Sequence, residues 1–164
     1  MNRDLNNIIP GASNFKYKEL IYSEYAIRKD ILNLPNEEQW LNLEKLAINI
    51  LQPVRTAFGP LHVTSAFRSS KLNNEIGGSK NSYHLQGMAA DIELFNPDIK
   101  FIDIVEFIYY NLNYAEMIAE YWPNGWIHIA YCPFKNIREI KIKDNKHNYI
   151  VVTLEELEEY AKNL

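Results

Sequence analysis

The chain has 164 residues, 47% of them apolar, with a formal net charge of -4 and an isoelectric point near 5.6. Such a chain can bury a core as one globular domain, spanning 1–164, and is not a disordered one. It has no basic block, no apolar run near the ~20 residues that cross a bilayer, and a single cysteine, Cys132, which argues against nucleic-acid binding, membrane insertion, an internal disulfide and a thiolate metal site.

The opening Met1-Asn2-Arg3-Asp4-Leu5 lacks the basic and then apolar pattern of a signal peptide, so synthesis in the cytoplasm and later release are expected. Ser23 caps a short helix through Asp30. The clearest helix runs from Asn36 to Phe58. Asn36 is placed as the cap with Gln39 as its capping-box partner, and Trp40, Leu43, Ala47, Ile50, Leu51 and Val54 recur at helical spacing. Pro53 interrupts this pattern and predicts a kink or break near Gln52. Leu61 to Phe67 is rich in β-branched residues and reads as a strand. Lys71 to Asn81 reads as a loop or short helix closed by a turn at Gly77-Gly78. Ala89 to Leu94 is a second strand. Asn96-Pro97 predicts the start of a helix from Asp98 to Leu112. Ala115–Tyr121 and Trp126–Tyr131 form a hairpin around Pro123-Asn124-Gly125, and a second hairpin joins Ile137–Lys143 to Asn148–Val152 around Asp144-Asn145-Lys146. Thr153-Leu154-Glu155-Glu156 is a capping box that opens a C-terminal helix. This order of elements predicts an α+β domain, an antiparallel sheet with flanking helices.

One constellation carries chemistry. His84 and Asp91 flank the first turn and first residues of the second strand, in Ser82-Tyr83-His84-Leu85-Gln86-Gly87-Met88-Ala89-Ala90-Asp91, and His128 follows in Trp126-Ile127-His128. In both strands alternation puts apolar residues on one face and the polar side chain on the other. If the strands are neighbours, Asp91 and His128 reach a common point, with His84 arriving from the turn and Gly87 allowing a tight bend. Two imidazoles and a carboxylate suit Zn2+ with one position left open, the catalytic rather than the structural arrangement. His62 and His147 read as structural histidines, and Cys132 as a small filler.

Beyond these residues, Thr64-Ser65-Ala66-Phe67-Arg68-Ser69, Gly77-Gly78-Ser79, Ser82-x-His84-x-x-Gly87-x-Ala89-x-Asp91 and Trp126-x-His128 together resemble the zinc D-Ala-D-Ala carboxypeptidase family. That family also holds the L-alanyl-D-glutamate endopeptidases of phage lysins and shares its fold with the hedgehog signalling domain. The resemblance is strongest to a small, phage-associated branch and covers residues 15–131, leaving the late hairpin and helix of 137–164 outside it. It implies Zn2+ on His84, Asp91 and His128, and an arginine at Arg68 that contacts the substrate and stabilises an oxyanion. Ser82 is expected either near the substrate or as a turn-stabilising hydroxyl, and Tyr83, where glutamine is common in relatives, lines the substrate groove. Several relatives carry a glutamate three residues before the last histidine as general base; here that position is Gly125. The small branch carries it at the end of the preceding strand, which points to Glu120, with Glu116 on the same strand face in reserve. Glu93 is a candidate hydrogen-bond partner for a ligand histidine.

The resemblance therefore implies a zinc metallopeptidase of carboxypeptidase or endopeptidase type. It would cut bacterial peptidoglycan peptides as a phage or prophage lysis enzyme. The sequence leaves the oligomeric state open, with a monomer favoured. The competing reading is a non-catalytic module of the same fold, retaining zinc, that binds cell wall or builds a virion.

Overall fold

The computed structural model describes residues 3–121, 125–135, 137–143 and 148–162. The chain opens with a small antiparallel pair, β1 (Ile8–Ile9) and β2 (Ala12–Lys16), then a 3-10 turn at Tyr17–Leu20. Helix α1 (Glu24–Arg28) starts at Ser23, whose Oγ accepts from the Ala26 N–H at 3.2 Å.

Helix α2 (Glu37–Leu46) begins with the expected capping box: Gln39 N–H donates to Asn36 Oδ1 at 3.0 Å, and Asn36 N–H to Gln39 Oε1 at 2.7 Å. Every apolar residue of the 36–54 periodicity is buried. Pro53 produces a subtler effect than a break. Without an N–H on Pro53 the Asn49 carbonyl has no i+4 donor, and the helix answers with a π-turn at Ala47–Leu51. There Gln52 N–H donates to the Ala47 carbonyl, five residues back, and the helix continues as α3 (Gln52–Phe58).

Six strands make the main sheet: β3 (Leu61–Ser65), β4 (Ala89–Leu94), β5 (Glu116–Glu120), β6 (Trp126–Ala130), β7 (Glu139–Lys143) and β8 (Tyr149–Val152), in the order β3-β4-β6-β5-β7-β8. The fold is α+β, as expected. The sheet differs from the expectation in one pairing: β7 runs parallel to β5, while all others are antiparallel. After β6 the chain reaches the far side of β5 before β7 begins, and that leaves β7 in the direction of β5. The pairing of β5 with β6 as a hairpin was readable from local turn signals; this crossing was not.

Between the strands lie α4 (Ser70–Glu75), capped by Ser69, and α5 (Phe101–Asn111). Helix α5 starts three residues later than the sequence predicts. Asn96 Oδ1 accepts from Asp98 N–H at 3.0 Å, so Asn96 closes a local turn instead of capping, and Asp103 accepts from Lys100 N–H at the true start. Helix α6 (Leu154–Lys162) opens on the expected Thr153–Glu156 capping box. The turn residues 122–124 and 144–147, His147 among them, lie outside the described residues. Among the described residues no helix is long and apolar enough to cross a membrane.

The sheet separates two chemistries. Ala90, Ile92, Met117, Ala119, Ile127, Ile129, Ile140 and Ile142 all point into one core against α2, α3, α5 and α6. The opposite face carries Asp91, His128, Glu116, Glu120, Lys141 and Lys143.

The segment between β3 and β4 is tied to α2. Gln39 Nε2 donates to the Leu85 carbonyl at 2.9 Å and Asn42 Nδ2 to the Gln86 carbonyl at 3.0 Å. Gly87 then sits at φ +70°, where a Cβ would lie 2.6 Å from the Gln39 carbonyl oxygen. Gly87→Ala should therefore destabilise the protein by about 1–3 kcal/mol from the backbone alone, with the clash added. Urea unfolding followed by circular dichroism measures it, and an unchanged midpoint would remove this anchor.

Candidate metal centre

His84 stands in a 3-10 turn, Tyr83–Gln86, whose start is fixed by Ser82: its Oγ accepts from His84 N–H at 3.3 Å. The structure thus gives Ser82 a turn-capping contact. The His84 ring is oriented from behind. Nδ1 lies 2.6 Å from the Ala66 carbonyl oxygen, which can only accept, so Nδ1 carries the proton and Nε2 is the free donor atom. Nε2 lies 3.2 Å from Asp91 Oδ1 and 3.1 Å from His128 Nδ1, and His128 Nδ1 lies 2.8 Å from Asp91 Oδ1.

Sheet register explains the convergence. Asp91 of β4 is directly opposite His128 of β6, which is directly opposite Ile118 of β5, itself beside Lys141 of β7. Three potential ligand atoms, from His84, Asp91 and His128, lie within 4.8 Å of one another, and all three residues are buried. Two neutral-capable imidazole nitrogens and one carboxylate oxygen fit a divalent ion of zinc type, and the cleft on their open side leaves access for water and substrate.

The electrostatics favour deprotonated ligands. Burial pushes the His84 imidazole below its ordinary value, with Asp91 opposing. Burial would push the Asp91 carboxyl up, but His84 and His128 more than offset it and hold it well below the usual carboxylate range. The second oxygen of Asp91 is not idle: Arg68 Nη2 donates to Oδ2, while Arg68 Nε donates to Ser65 Oγ at 2.8 Å. Arg68 is thereby held against a ligand carboxylate on the cleft wall. On the other side of His128, Nε2 lies 3.6 Å from Glu116 Oε1, an ion-pair distance. A carboxylate beside the far nitrogen of a metal-binding histidine helps to orient the ring.

The two glutamates of β5 are both on this face but differ in setting. Glu116 faces His128 and bonds through Oε2 to Lys141 at 2.5 Å; Lys141 also reaches Glu139 at 2.6 Å. Glu120 lies opposite Trp126 and bonds through Oε2 to Lys143 at 2.7 Å. Glycine at 125 is compulsory, since a Cβ there would stand 1.7 Å from the Glu120 carbonyl oxygen. A glutamate at that position, the arrangement of several relatives, cannot be built on this backbone.

Tyr83 lines the cleft and packs against the cluster of Ala89, Ala115 and Ala130, as does Cys132, in keeping with Cys132 as a filler. Glu93 is not brought to the ligand histidines. It sits at the outer end of β4, half exposed, with Oε2 3.9 Å from His62 Nδ1, and His62 stacks on Phe95. The cleft has a volume of about 500 Å³ and reaches from the Ile76–Ser79 loop across the ligands to Lys141, Lys143 and Tyr149. Sequence reasoning missed the two lysines. Their signal was present: Glu139-Ile140-Lys141-Ile142-Lys143 alternates strictly, so its polar residues must share one face.

The family model described as Peptidase M15 matches residues 13–130, a span that includes Arg68, the three ligand candidates, Glu116 and Glu120. No curated protein matches the chain.

Two outcomes are expected. Calorimetric titration with zinc should give one ion per chain, His84→Ala should abolish it, and Glu116→Gln should weaken it about 10–100-fold; unaltered affinity in Glu116→Gln would deny it the orienting role. After chelation, stability should fall as pH drops below 6.5, because the unfolded His84 takes up a proton that the folded one resists. Asp91 adds the same sign further down, its stabilisation being lost as pH falls through its lowered folded-state value. Thermal melts from about pH 8 to about pH 5 follow the first effect, and a flat profile would contradict it.

Proposed function

The chain belongs to the peptidase M15 family, and from that premise we propose that it is a zinc-dependent peptidase cutting the stem peptides of bacterial peptidoglycan, in the setting of phage or prophage lysis. The observation that supports this reading most is the meeting of His84 Nε2, Asp91 Oδ1 and His128 Nδ1 on the floor of a cleft that also holds Glu120 and Arg68.

His84, Asp91 and His128 would hold the ion. Zinc bound there supplies Lewis acidity and brings water into reach of deprotonation near neutral pH. Glu120 accepts the proton of the attacking water as the carbon–oxygen bond forms at the scissile carbonyl. It then delivers that proton to the amine nitrogen as the carbon–nitrogen bond breaks. Glu116 is less suited to this task, because it is engaged with His128 and Lys141. Arg68 directs its planar donors to the cleft, where they can meet the developing oxyanion while one stays on Asp91. Tyr83 contributes an aromatic wall for the peptide.

Mass spectrometry of purified peptidoglycan fragments after incubation with the zinc-loaded protein tests the reading, and the product masses name the bond cut. Glu120→Gln should bind zinc normally and lose about 10²–10⁴-fold in turnover. Products that persist unchanged with Glu120→Gln would sink the assignment of the base. An absence of products across several wall chemistries, with zinc bound, would favour the non-catalytic module.

A further inference from the structure

The ligand candidates and Glu120 all fall within residues 13–130, yet one wall of their cleft is built by residues beyond that span. Strand β7 lies parallel to β5 with Lys143 beside Glu120 in register. Lys143 Nζ is 2.7 Å from Glu120 Oε2 and 5.1 Å from the ring centroids of both Tyr121 and Tyr149. The ammonium is thus held by a carboxylate and two aromatic faces, on a side chain only 16% exposed.

This setting constrains Glu120. A glutamate has three side-chain torsions, and the backbone fixes none of them. A direct bond from a lysine anchored on its own strand fixes one carboxylate oxygen and leaves the other for the cleft. Without that bond the carboxylate would be free to swing away from the ligand candidates, which removes a positioned proton acceptor.

We propose that Lys143 is a positioning residue of this peptidase, holding the Glu120 carboxylate aimed at the reacting water. The inference rests on the reading of Glu120 as the proton acceptor. Lys143 itself transfers no proton: the one taken from water passes through Glu120 to the leaving amine, and the ammonium keeps all three of its own.

The test compares Lys143→Met, Lys143→Gln and Lys143→Arg with Glu120→Gln, all zinc-loaded, on a purified stem peptide. Lys143→Met and Lys143→Gln should lose about tenfold or more in kcat, with KM and zinc affinity close to the parent. Lys143→Arg should restore most of kcat. A second readout needs no turnover. In chelated protein, the Glu120 carboxyl carbon resonance, identified by its loss in Glu120→Gln, should move in the neutral variants and not in Lys143→Arg. If the methionine variant melts several degrees lower, the glutamine variant carries the comparison. Parent-like kcat and an unmoved resonance in a folded neutral variant would overturn the role of Lys143. Parent-like turnover in Glu120→Gln would instead overturn the reading of Glu120 on which it rests.

Discussion

The centre depends on one transverse row of the sheet. Asp91, His128, Ile118 and Lys141 stand side by side across β4, β6, β5 and β7. A slip of one residue in the β4–β6 pairing would send Asp91 or His128 into the apolar core, and a slip of β7 against β5 would do the same to Lys141. What prevents the slip is the other face. Ala90, Ile92, Ile127, Ile129, Met117, Ala119, Ile140 and Ile142 are buried, and each large side chain there contributes about 1.5–3 kcal/mol on burial. The core therefore sets the register, and the register sets the geometry of the candidate metal site.

The third ligand candidate is not on that row and needs its own support. His84 belongs to a single turn that hangs from α2 through Gln39 and Asn42, and it is locked from behind by the Ala66 carbonyl. Gln39 does two jobs at once, since one end of its amide closes the helix cap and the other holds the ligand turn. The first turns of α2 are therefore part of the site, although none of their side chains enters the cleft.

Much of this was legible in the chain. Strict alternation in Ala89–Leu94 and Trp126–Ala130 predicted which residues face away from the core, and the periodicity of 36–54 gave the buried helix stripe. What could not be read depended on contacts distant in sequence. Pro53 signalled a disturbance but not its resolution as a π-turn. The parallel placement of β7 arises from a crossing that no local motif encodes. Glu93 shares a strand face with Asp91, yet alternation says nothing of position along the strand, and two residues were enough to move it out to His62. The lysines of β7 went unassigned for the same reason, since nothing local told which strand they would lie beside.

The pairing of β7 with β5 also bears on how the protein can be divided. The matched span ends at Ala130, before β7 begins. A chain cut there would leave β5 as an edge strand, its Glu116–Glu120 backbone groups unpaired and its core face stripped of Ile140 and Ile142. An apolar edge of that kind is a template for strand addition by another molecule. The same cut would take Lys141 from Glu116 and Lys143 from Glu120. The boundary of the functional unit is thus drawn by a strand that follows the recognisable motif, and a fragment built on the motif alone would be prone to self-association.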